Sequence, residues 1–327
     1  MDFLKSDAFL LPLGIPPGAT LDFAVLGQGE YNLNYVFDHP VTGQKLVLRI
    51  NTGSQMHLSD QIRYEYGALE CLSPSGRTPK PVCCYPEQKM LVMEHLSGSA
   101  LQYETDMDIA AEILADIHCI KVPDNCSLLR PQYPALAIYE ECLEMAAHYF
   151  DWEERDPVVC ELLHQLIDEI GRLPLNVPSD APTCMVNTEL NSGNFLIDPH
   201  GHSYLVDWEK PLLSEPAQDL GHFLAPTTTF WKTDVILTPQ QVKDFASKYV
   251  EAVNGRMDTA TLSHRLPLFF TVTCLRGITW CAMAYREYCQ PGRELRNEDT
   301  FRKLKAYLEP DFLRNILDNY VRKDFLA

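Results

Sequence analysis

The first third of the chain alternates apolar and polar residues in short runs, and residues typical of turns separate these runs. A period of two is typical of β-strands with one buried face, and it predicts strands near 21–26, 31–37 and 45–50. Apolar positions at helical spacing then predict a helix over about 59–72. A further apolar strand over 90–96 leads into a polar segment that contains glycine. These elements predict an antiparallel sheet with one helix.

From about residue 104 onward, apolar positions recur every three or four residues, which is typical of helices that bury one face. The predicted helices cover residues 105–118, 135–150, 157–172, 239–253, 261–289, 298–308 and 310–322. At 327 residues the chain exceeds the size of a typical single core. We therefore predict an α+β protein with a small sheet-containing domain over residues 1–96 and a larger helical domain over residues 97–327.

Two short apolar runs at 195–197 and 204–206 enclose a turn with Pro and Gly, and they predict a β-hairpin. Asn194 enters the first predicted strand and Asp207 leaves the second, so the hairpin brings both residues to the same end. Glu189 lies five positions before Asn194. Asp and Asn are common turn residues, and either one alone is compatible with a structural role. The joint pattern of Glu189, Asn194 and Asp207 around a hairpin is much less common by chance than any one of these residues alone.

The segment Asn-Thr-Glu-Leu-Asn-Ser-Gly-Asn at 187–194, followed by Asp-Trp-Glu at 207–209, resembles the catalytic and metal-binding segments of the aminoglycoside phosphotransferase/choline-kinase-like family. That family normally reads His-Gly-Asp-x-His-x-Gly-Asn in the first segment. Residues 214–221 resemble the family's Gly-Asp-Pro-x-x-Asp-Leu-Ala, and Asp219 matches the acid that braces the catalytic loop. The resemblance implies a two-lobed, protein-kinase-like fold, with a small antiparallel-sheet lobe and a larger helical lobe.

The same resemblance implies phosphoryl transfer from ATP with Mg²⁺ to a hydroxyl of a small molecule, such as an aminoglycoside or an amino alcohol. Asn194 and Asp207 would hold Mg²⁺, which takes a few hard oxygen ligands besides phosphate and water. Glu189 stands at the position of the residue that orients and deprotonates the substrate hydroxyl.

Residues of the small lobe match the family's nucleotide-binding positions in order. Gly27 and Gly29 would let backbone N–H groups approach the phosphates, although a Gly-x-Gly turn is also common in ordinary hairpins. Arg49 stands where kinases carry a lysine that pairs with phosphate and with a helix glutamate, and Glu65 would be its partner. The backbone from Glu94 to Leu96 would contact adenine at the hinge between lobes.

Glutamate at 189 is the main departure from the family pattern. It accepts a proton as aspartate does, but it is one methylene longer. The chain is accordingly an active enzyme with an adjusted loop, a slow enzyme, or a nucleotide-binding protein with regulatory or binding function and weak or lost catalysis. A binding module outside the kinase class remains a third interpretation. The survival of both metal-ligand positions favours activity.

The composition of the chain limits the classes of molecule that it is expected to bind and the compartment in which it is expected to fold. With 27 basic and 45 acidic residues, the net charge of −18 argues against nucleic acid and anionic membranes. It is compatible with a cationic small substrate, although solubility alone also explains such acidity. The N-terminus lacks the form of a signal peptide, and we expect no membrane span. The odd number of 11 cysteines, without a paired CxxC motif, predicts free thiols in a reducing cytoplasm and no zinc site.

Overall fold

The computed structural model describes residues 2–29, 31–54, 56–198, 201–290 and 297–323. Within these ranges the strands are β1 (Ala24–Gln28), β2 (Asn32–Asp38), β3 (Lys45–Asn51), β4 (Pro81–Tyr85), β5 (Met90–Glu94), β6 (Ser99–Ala100), β7 (Cys184–Val186), β8 (Phe195–Ile197), β9 (Tyr204–Leu205) and β10 (Leu212–Ser214). The helices are α1 (Asp7–Leu10), α2 (Gln61–Leu72), α3 (Met107–His118), α4 (Pro134–Phe150), α5 (Pro157–Gly171), α6 (Pro216–Leu224), α7 (Pro226–Lys232), α8 (Pro239–Val253), α9 (Leu262–Cys289), α10 (Glu298–Tyr307) and α11 (Pro310–Ile316).

The chain divides into two compact units. The first comprises Met1–Leu101, Ile120–Leu129 and Asn194–Pro211, and the second comprises Gln102–Cys119, Arg130–Gly193 and Leu212–Ala327. The predicted division at 96/97 differs from these units in two respects. The first unit continues to Leu101, and it includes two later segments, one of which carries Asn194 and Asp207.

The first unit is built on an antiparallel sheet with the strand order β1-β2-β3-β5-β4. Apolar residues from one face of the sheet pack against α1, and Phe9, Leu48 and Val92 are fully buried in that cluster. The central strand β3 is buried along most of its length, so the polar side chain that it carries at Arg49 must find its partners inside the protein. Asp60 caps the N-terminus of helix α2, and its carboxylate accepts the N–H of Arg63 at 3.0 Å.

The predicted hairpin is present in the first unit. Strand β8 pairs with β9 in antiparallel register, and β6 adds a third strand at the other edge of β8. Gly98, just before β6, is required by close approach, because a Cβ there would lie 2.7 Å from the carbonyl carbon of Leu196. Within the predicted turn, Pro199 and His200 lie outside the described residues.

The second unit is mainly helical. Helix α9 packs against α4 and α6, and α3 packs against α8, while the short strands β7 and β10 form an antiparallel pair. Helix α8 begins with a capping box in which Thr238 and Gln241 satisfy each other's backbone N–H groups. By length and composition α9 could cross a membrane, but 67% of its apolar window is buried, as in the core helix of a folded domain.

The structure confirms the α+β class and the long predicted helices, most of them to within two residues. Two boundaries were wrong. Strand β1 covers Ala24–Gln28 instead of 21–26, so Gly27 lies inside the strand, next to a register shift against β2. The last predicted helix ends as an α-helix at Ile316 and continues as a π-helical turn over Leu317–Val321. All eleven cysteines lie within the described residues, and none of them forms a disulfide.

Candidate active site

Arg49 joins two of the predicted site residues in the first unit. Its Nη1 donates to Oε1 of Glu65 on α2 at 2.6 Å, and its Nη2 donates to Oδ1 of Asp207 at 3.2 Å. Its Nε donates to the side chain of Asn34 on β2 at 3.0 Å. The predicted Arg49–Glu65 pair is therefore present, and the guanidinium extends it to the candidate metal ligand.

The charges of this cluster are largely removed from solvent. Burial alone would disfavour the charged guanidinium, but Glu65, Asp207 and Glu209 outweigh that effect and raise the pKa of Arg49 above its ordinary value. Burial raises the pKa of Glu65, and the adjacent guanidinium limits that rise. Oε2 of Glu65 is buried without a hydrogen-bond partner among the described residues. The guanidinium of Arg49 therefore remains charged beside Asp207.

The hairpin places Asn194 and Asp207 at one end, as predicted. Phe195 pairs with Leu205, and the N–H of Val206 donates to the carbonyl of Asn194 at 2.9 Å. Asp207 follows directly, with a φ of 65° that non-glycine residues adopt at an energetic cost. Its side chain is 36% exposed, so the carboxylate is accessible to a ligand.

Several hydrogen bonds hold the segment after Asp207 against the rest of the first unit. Asn32 on β2 donates to the carboxylate of Glu209, and Gln61 on α2 donates to the Glu209 carbonyl at 2.5 Å. Tyr64 donates to the carbonyl of Pro211 at 2.6 Å. These contacts fix the backbone that carries Asp207. The sequence did not predict these contacts of Asn32, Gln61 and Glu209, because each joins residues far apart in the chain.

The two glycines of the predicted phosphate-binding turn have no structural requirement of their own. A Cβ at Gly27 would meet no described atom within 4 Å, and at Gly29 the nearest would be the carbonyl oxygen of Asn32 at 3.8 Å. Neither glycine has a positive φ. The N–H of Gly29 donates to the carbonyl of Asn32 at 2.9 Å.

The predicted hinge lies at the end of β5. The N–H groups of Glu94 and His95 donate to the carbonyls of Lys80 at 2.9 Å and Lys45 at 3.2 Å. Both donors are therefore used within the first unit. If this segment binds a nucleotide base, the groups that form the hydrogen bonds would be the N–H of Leu96 and the backbone carbonyls.

The loop that carries Glu189 belongs to the second unit and is held by Asp219. The Asp219 carboxylate accepts the N–H of Asn187 at 2.9 Å and the N–H of Thr188 at 3.0 Å. This is the bracing role that was predicted for Asp219. Thr188 has a φ of 67°, at the position where the family carries glycine. Asn187, in place of the family's histidine, accepts the N–H of Glu189 at 3.0 Å.

The side chain of Glu189 has a partner that the sequence did not reveal. Arg276 on α9 donates to its Oε1 at 3.0 Å and also to Glu141 on α4 at 3.1 Å.

The predicted site residues are distributed over both compact units. Glu189 lies in the second unit, and Gly27, Gly29, Arg49, Glu65, Glu94, Leu96, Asn194 and Asp207 lie in the first.

Comparison with known structures gives the same fold at low sequence identity. Choline kinase from Cryptosporidium parvum is 14% identical, with a TM-score of 0.64 over 91% of this chain and 90% of that one. Ethanolamine kinase from Plasmodium vivax is 15% identical, with a TM-score of 0.61 over 89% and 82%. The spectinomycin phosphotransferase APH(9)-Ia, in complex with ADP and spectinomycin, is 15% identical, with a TM-score of 0.58 over 92% of both chains.

A comparison with curated protein sequences gave no match. The sequence model of the phosphotransferase enzyme family matches residues 22–255, which is more than half of the chain and includes every predicted site residue. The structural neighbours confirm the protein-kinase-like fold that the motifs at 187–194 and 207–209 implied. The chain belongs to the phosphotransferase enzyme family.

Proposed function

We propose that the protein transfers a phosphoryl group from ATP, with Mg²⁺, to a hydroxyl of a small molecule. The observation that carries this proposal is the guanidinium of Arg49, which bridges Glu65 at 2.6 Å and Asp207 at 3.2 Å. A fixed cation beside an accessible carboxylate suits a site where phosphate and a metal ion meet. Arginine contributes a fork of donors to phosphate, where a lysine would contribute a point charge.

The residues at the end of the hairpin fit Mg²⁺. In our proposal the carboxylate of Asp207 and the side-chain oxygen of Asn194 hold the ion, which supplies charge neutralisation at the phosphates. Mg²⁺ is usually held by one or two carboxylates together with phosphates and water. Such a site needs no dedicated protein cage, and no group of three or more His, Cys, Asp or Glu side chains forms one within the described ranges.

The nucleotide would use Gly27, Gly29 and Arg49 for its phosphates. Neither glycine is needed for the packing or the φ angle of its own backbone, and in our proposal both leave room for phosphate to approach the backbone. At the segment from Glu94 to Leu96, the N–H of Leu96 and backbone carbonyls would bind adenine.

Glu189 would orient and deprotonate the acceptor hydroxyl. We propose an amino alcohol or an aminoglycoside as the acceptor class, because the neighbours include a choline kinase, an ethanolamine kinase and a spectinomycin phosphotransferase. The net charge of −18 is compatible with such cationic molecules.

A second candidate function is nucleotide binding with weak or lost catalysis. It is favoured by the glutamate at 189 and by the ion pair of its carboxylate with Arg276 at 3.0 Å. An engaged carboxylate is a weaker proton acceptor than a carboxylate without a cation beside it. The two candidates differ in turnover and agree on nucleotide binding.

Thermal unfolding with ATP and Mg²⁺ tests the nucleotide site. A ligand at about a hundred times its Kd stabilises the native state by roughly 2.7 kcal/mol, so we expect a rise in Tm that EDTA removes. Asp207→Ala should abolish the Mg²⁺-dependent part of the rise. Asp38→Asn, at an exposed carboxylate of the same unit, should keep it. Absence of any nucleotide-dependent shift in the wild type would refute both candidates.

Turnover then separates the two candidates. Release of ADP is measured with choline, ethanolamine and spectinomycin as acceptors. We expect ADP release above the acceptor-free background with at least one of them, and a loss on the order of a hundredfold or more in Asp207→Ala. ATP stabilisation without turnover on any acceptor would favour the binding protein.

A further inference from the structure

Three charged side chains meet at the middle of α9 in the second unit. Nη2 of Arg276 lies 3.0 Å from Oε1 of Glu189, and its Nε lies 3.1 Å from Oε2 of Glu141. The Arg276 side chain is 13% exposed, and the two carboxylates are 28% and 32% exposed. One guanidinium fork therefore ties the loop of Glu189 to α4 and α9.

The electrostatics of this cluster favour a permanent cation. Burial disfavours the charged form of Arg276, but the carboxylates of Glu141 and Glu189 outweigh burial and raise its pKa above the ordinary value. Arginine has no accessible neutral form, so the charge persists at any pH at which the protein folds. Removal of the guanidinium would leave two carboxylates without the cation that they share, and like charges disfavour ionisation.

The backbone and the side chain of Glu189 are held by different residues. Asn187 accepts its N–H, and Asp219 braces the two residues before it. Arg276 holds the end of the side chain. A glutamate has one more rotatable bond than an aspartate, so it needs a further contact to hold its carboxylate in one place. A misplacement of about 1 Å can cost on the order of a hundredfold in rate.

We propose that Arg276 is the positioning residue of the Glu189 carboxylate, and that Glu141 holds the guanidinium in place for that role. The inference rests on the proposed function, in which Glu189 accepts the proton of the acceptor hydroxyl. Glu189 and Arg276 form a matched pair. An aspartate at 189 would be too short to keep the 3.0 Å contact, so the family's usual residue would be the wrong length here.

Kinetics provide the first test, with ADP release from Mg·ATP in the presence of ethanolamine, choline or spectinomycin. We expect Arg276→Met to lower kcat on the order of a hundredfold, because misplacement of the Glu189 carboxylate outweighs its gain in proton affinity, while the KM for Mg·ATP changes less than about twofold. Arg276→Lys should recover part of the loss, because lysine keeps the charge without the fork. Glu189→Asp should lower kcat as well. An unchanged kcat in Arg276→Met, or a higher kcat in Glu189→Asp, overturns the proposal.

A matched control is available on the same helix. Arg286 on α9 also contacts α4, where its Nη1 donates to the carbonyl of His148 at 2.7 Å. Arg286→Met removes an arginine from the same helix pair without touching Glu189. It should keep kcat within about twofold of the wild type. A loss equal to that of Arg276→Met would assign the effect to helix packing and overturn the proposal.

A second test needs no turnover. In protein with ¹³C-labelled glutamate carboxylates, the Glu189 signal is assigned by its loss in Glu189→Gln and followed against pH. Arg276→Met should raise its titration midpoint by about one unit or more, since an adjacent cation favours the carboxylate, and Arg286→Met should not. An unchanged midpoint overturns the proposal whether or not the protein is active. A shifted midpoint in a wild type that releases no ADP would overturn the proposed turnover and leave the positioning role in place.

Discussion

At the scale of single residues, Asp219 holds the loop of the proposed catalytic carboxylate. It is fully buried, and its two oxygens accept the N–H groups of Asn187 and Thr188. His118 lies 3.2 Å from the same carboxylate and 2.9 Å from the hydroxyl of Tyr249. A buried carboxylate with this many donors is stable only while every donor is kept. Thr188 also holds a positive φ at this point, so the bracing offsets local strain.

We expect Asp219→Asn to lower the free energy of unfolding by about 3 kcal/mol, since hydrogen bonds to a buried charge are worth roughly 1.5–3 kcal/mol each. An asparagine presents an NH₂ group to one of the two backbone donors, whichever way it is oriented. Asp244→Asn, at an exposed carboxylate on α8, should change stability by less than about 0.5 kcal/mol. Urea unfolding measures both. Equal effects of the two variants would show that the bracing contributes nothing.

The residues that sequence reasoning found and missed differ in a physical way. Asp219 was predictable because it belongs to a motif, and the Arg49–Glu65 pair because the family resemblance assigns a paired cation and glutamate to the third strand and the helix after it. Arg276 was not, since it lies 87 positions from Glu189 and 135 from Glu141 on helices whose apolar pattern says nothing about their charges. From the sequence alone, a charged residue on a long helix is expected to face solvent. Only the packing of α4 on α9 shows that Arg276 is largely buried.

At the scale of elements, the contact of α6 with α9 depends on a glycine. A Cβ at Gly221 would lie 2.7 Å from the carbonyl carbon and the Cβ of Phe269 and from the backbone nitrogen of Phe270. Real Cβ atoms do not approach backbone so closely, and both phenylalanines are buried. The two helices therefore pack at a distance that only glycine permits.

Alanine substitutions at two helical glycines should have opposite effects. Gly221→Ala should destabilise the protein by about 1–3 kcal/mol, because α6 and α9 must separate. In Gly67→Ala the new Cβ on α2 meets no described atom within 4 Å apart from its chain neighbours and the backbone of its own helix, so the variant should be stabilised by about 0.5–1 kcal/mol through helix propensity. Denaturant unfolding of both variants is the measurement. A neutral Gly221→Ala would mean that the helices tolerate a wider spacing.

Elements with a strong period were predicted well, whereas several short elements without one were not. Helices α4, α5 and α8 each bury a regular apolar face, and their ends fall close to the prediction. Strand β4 was missed because Pro81 and two adjacent cysteines give it no alternation, and α6 and α7 were missed because they are short and begin at proline. Local pattern specifies long elements, whereas tertiary packing specifies these.

At the scale of the whole molecule, the compact units do not follow the order of the chain. The hairpin segment Asn194–Pro211 belongs to the first unit although more than ninety residues separate it from Leu101. The reason is a set of long-range hydrogen bonds, in which Arg49 donates to Asp207 and Tyr64 donates to Pro211. The boundary at 96/97 was predicted from the order of strands and helices along the chain, and that order does not reveal those contacts.

This organisation predicts that residues 1–101 alone are an incomplete folding unit. The fragment would leave β6 without β8, and the buried guanidinium of Arg49 would keep Glu65 but lose Asp207. Removal of one partner from a buried charge cluster is destabilising. We expect it to unfold without cooperativity in urea. Fusion of residues 194–211 through a Gly/Ser linker should restore a cooperative transition. Circular dichroism follows the fragment and the fusions alike, because residues 1–101 contain no Trp, and the fluorescence of Trp208, buried in the native chain, also reports the transition of the fusion. A fusion with the same residues in scrambled order is the control. If the fragment alone unfolds as sharply as the native fusion, the sheet is self-sufficient, and the hairpin is attached to the first unit without helping it to fold.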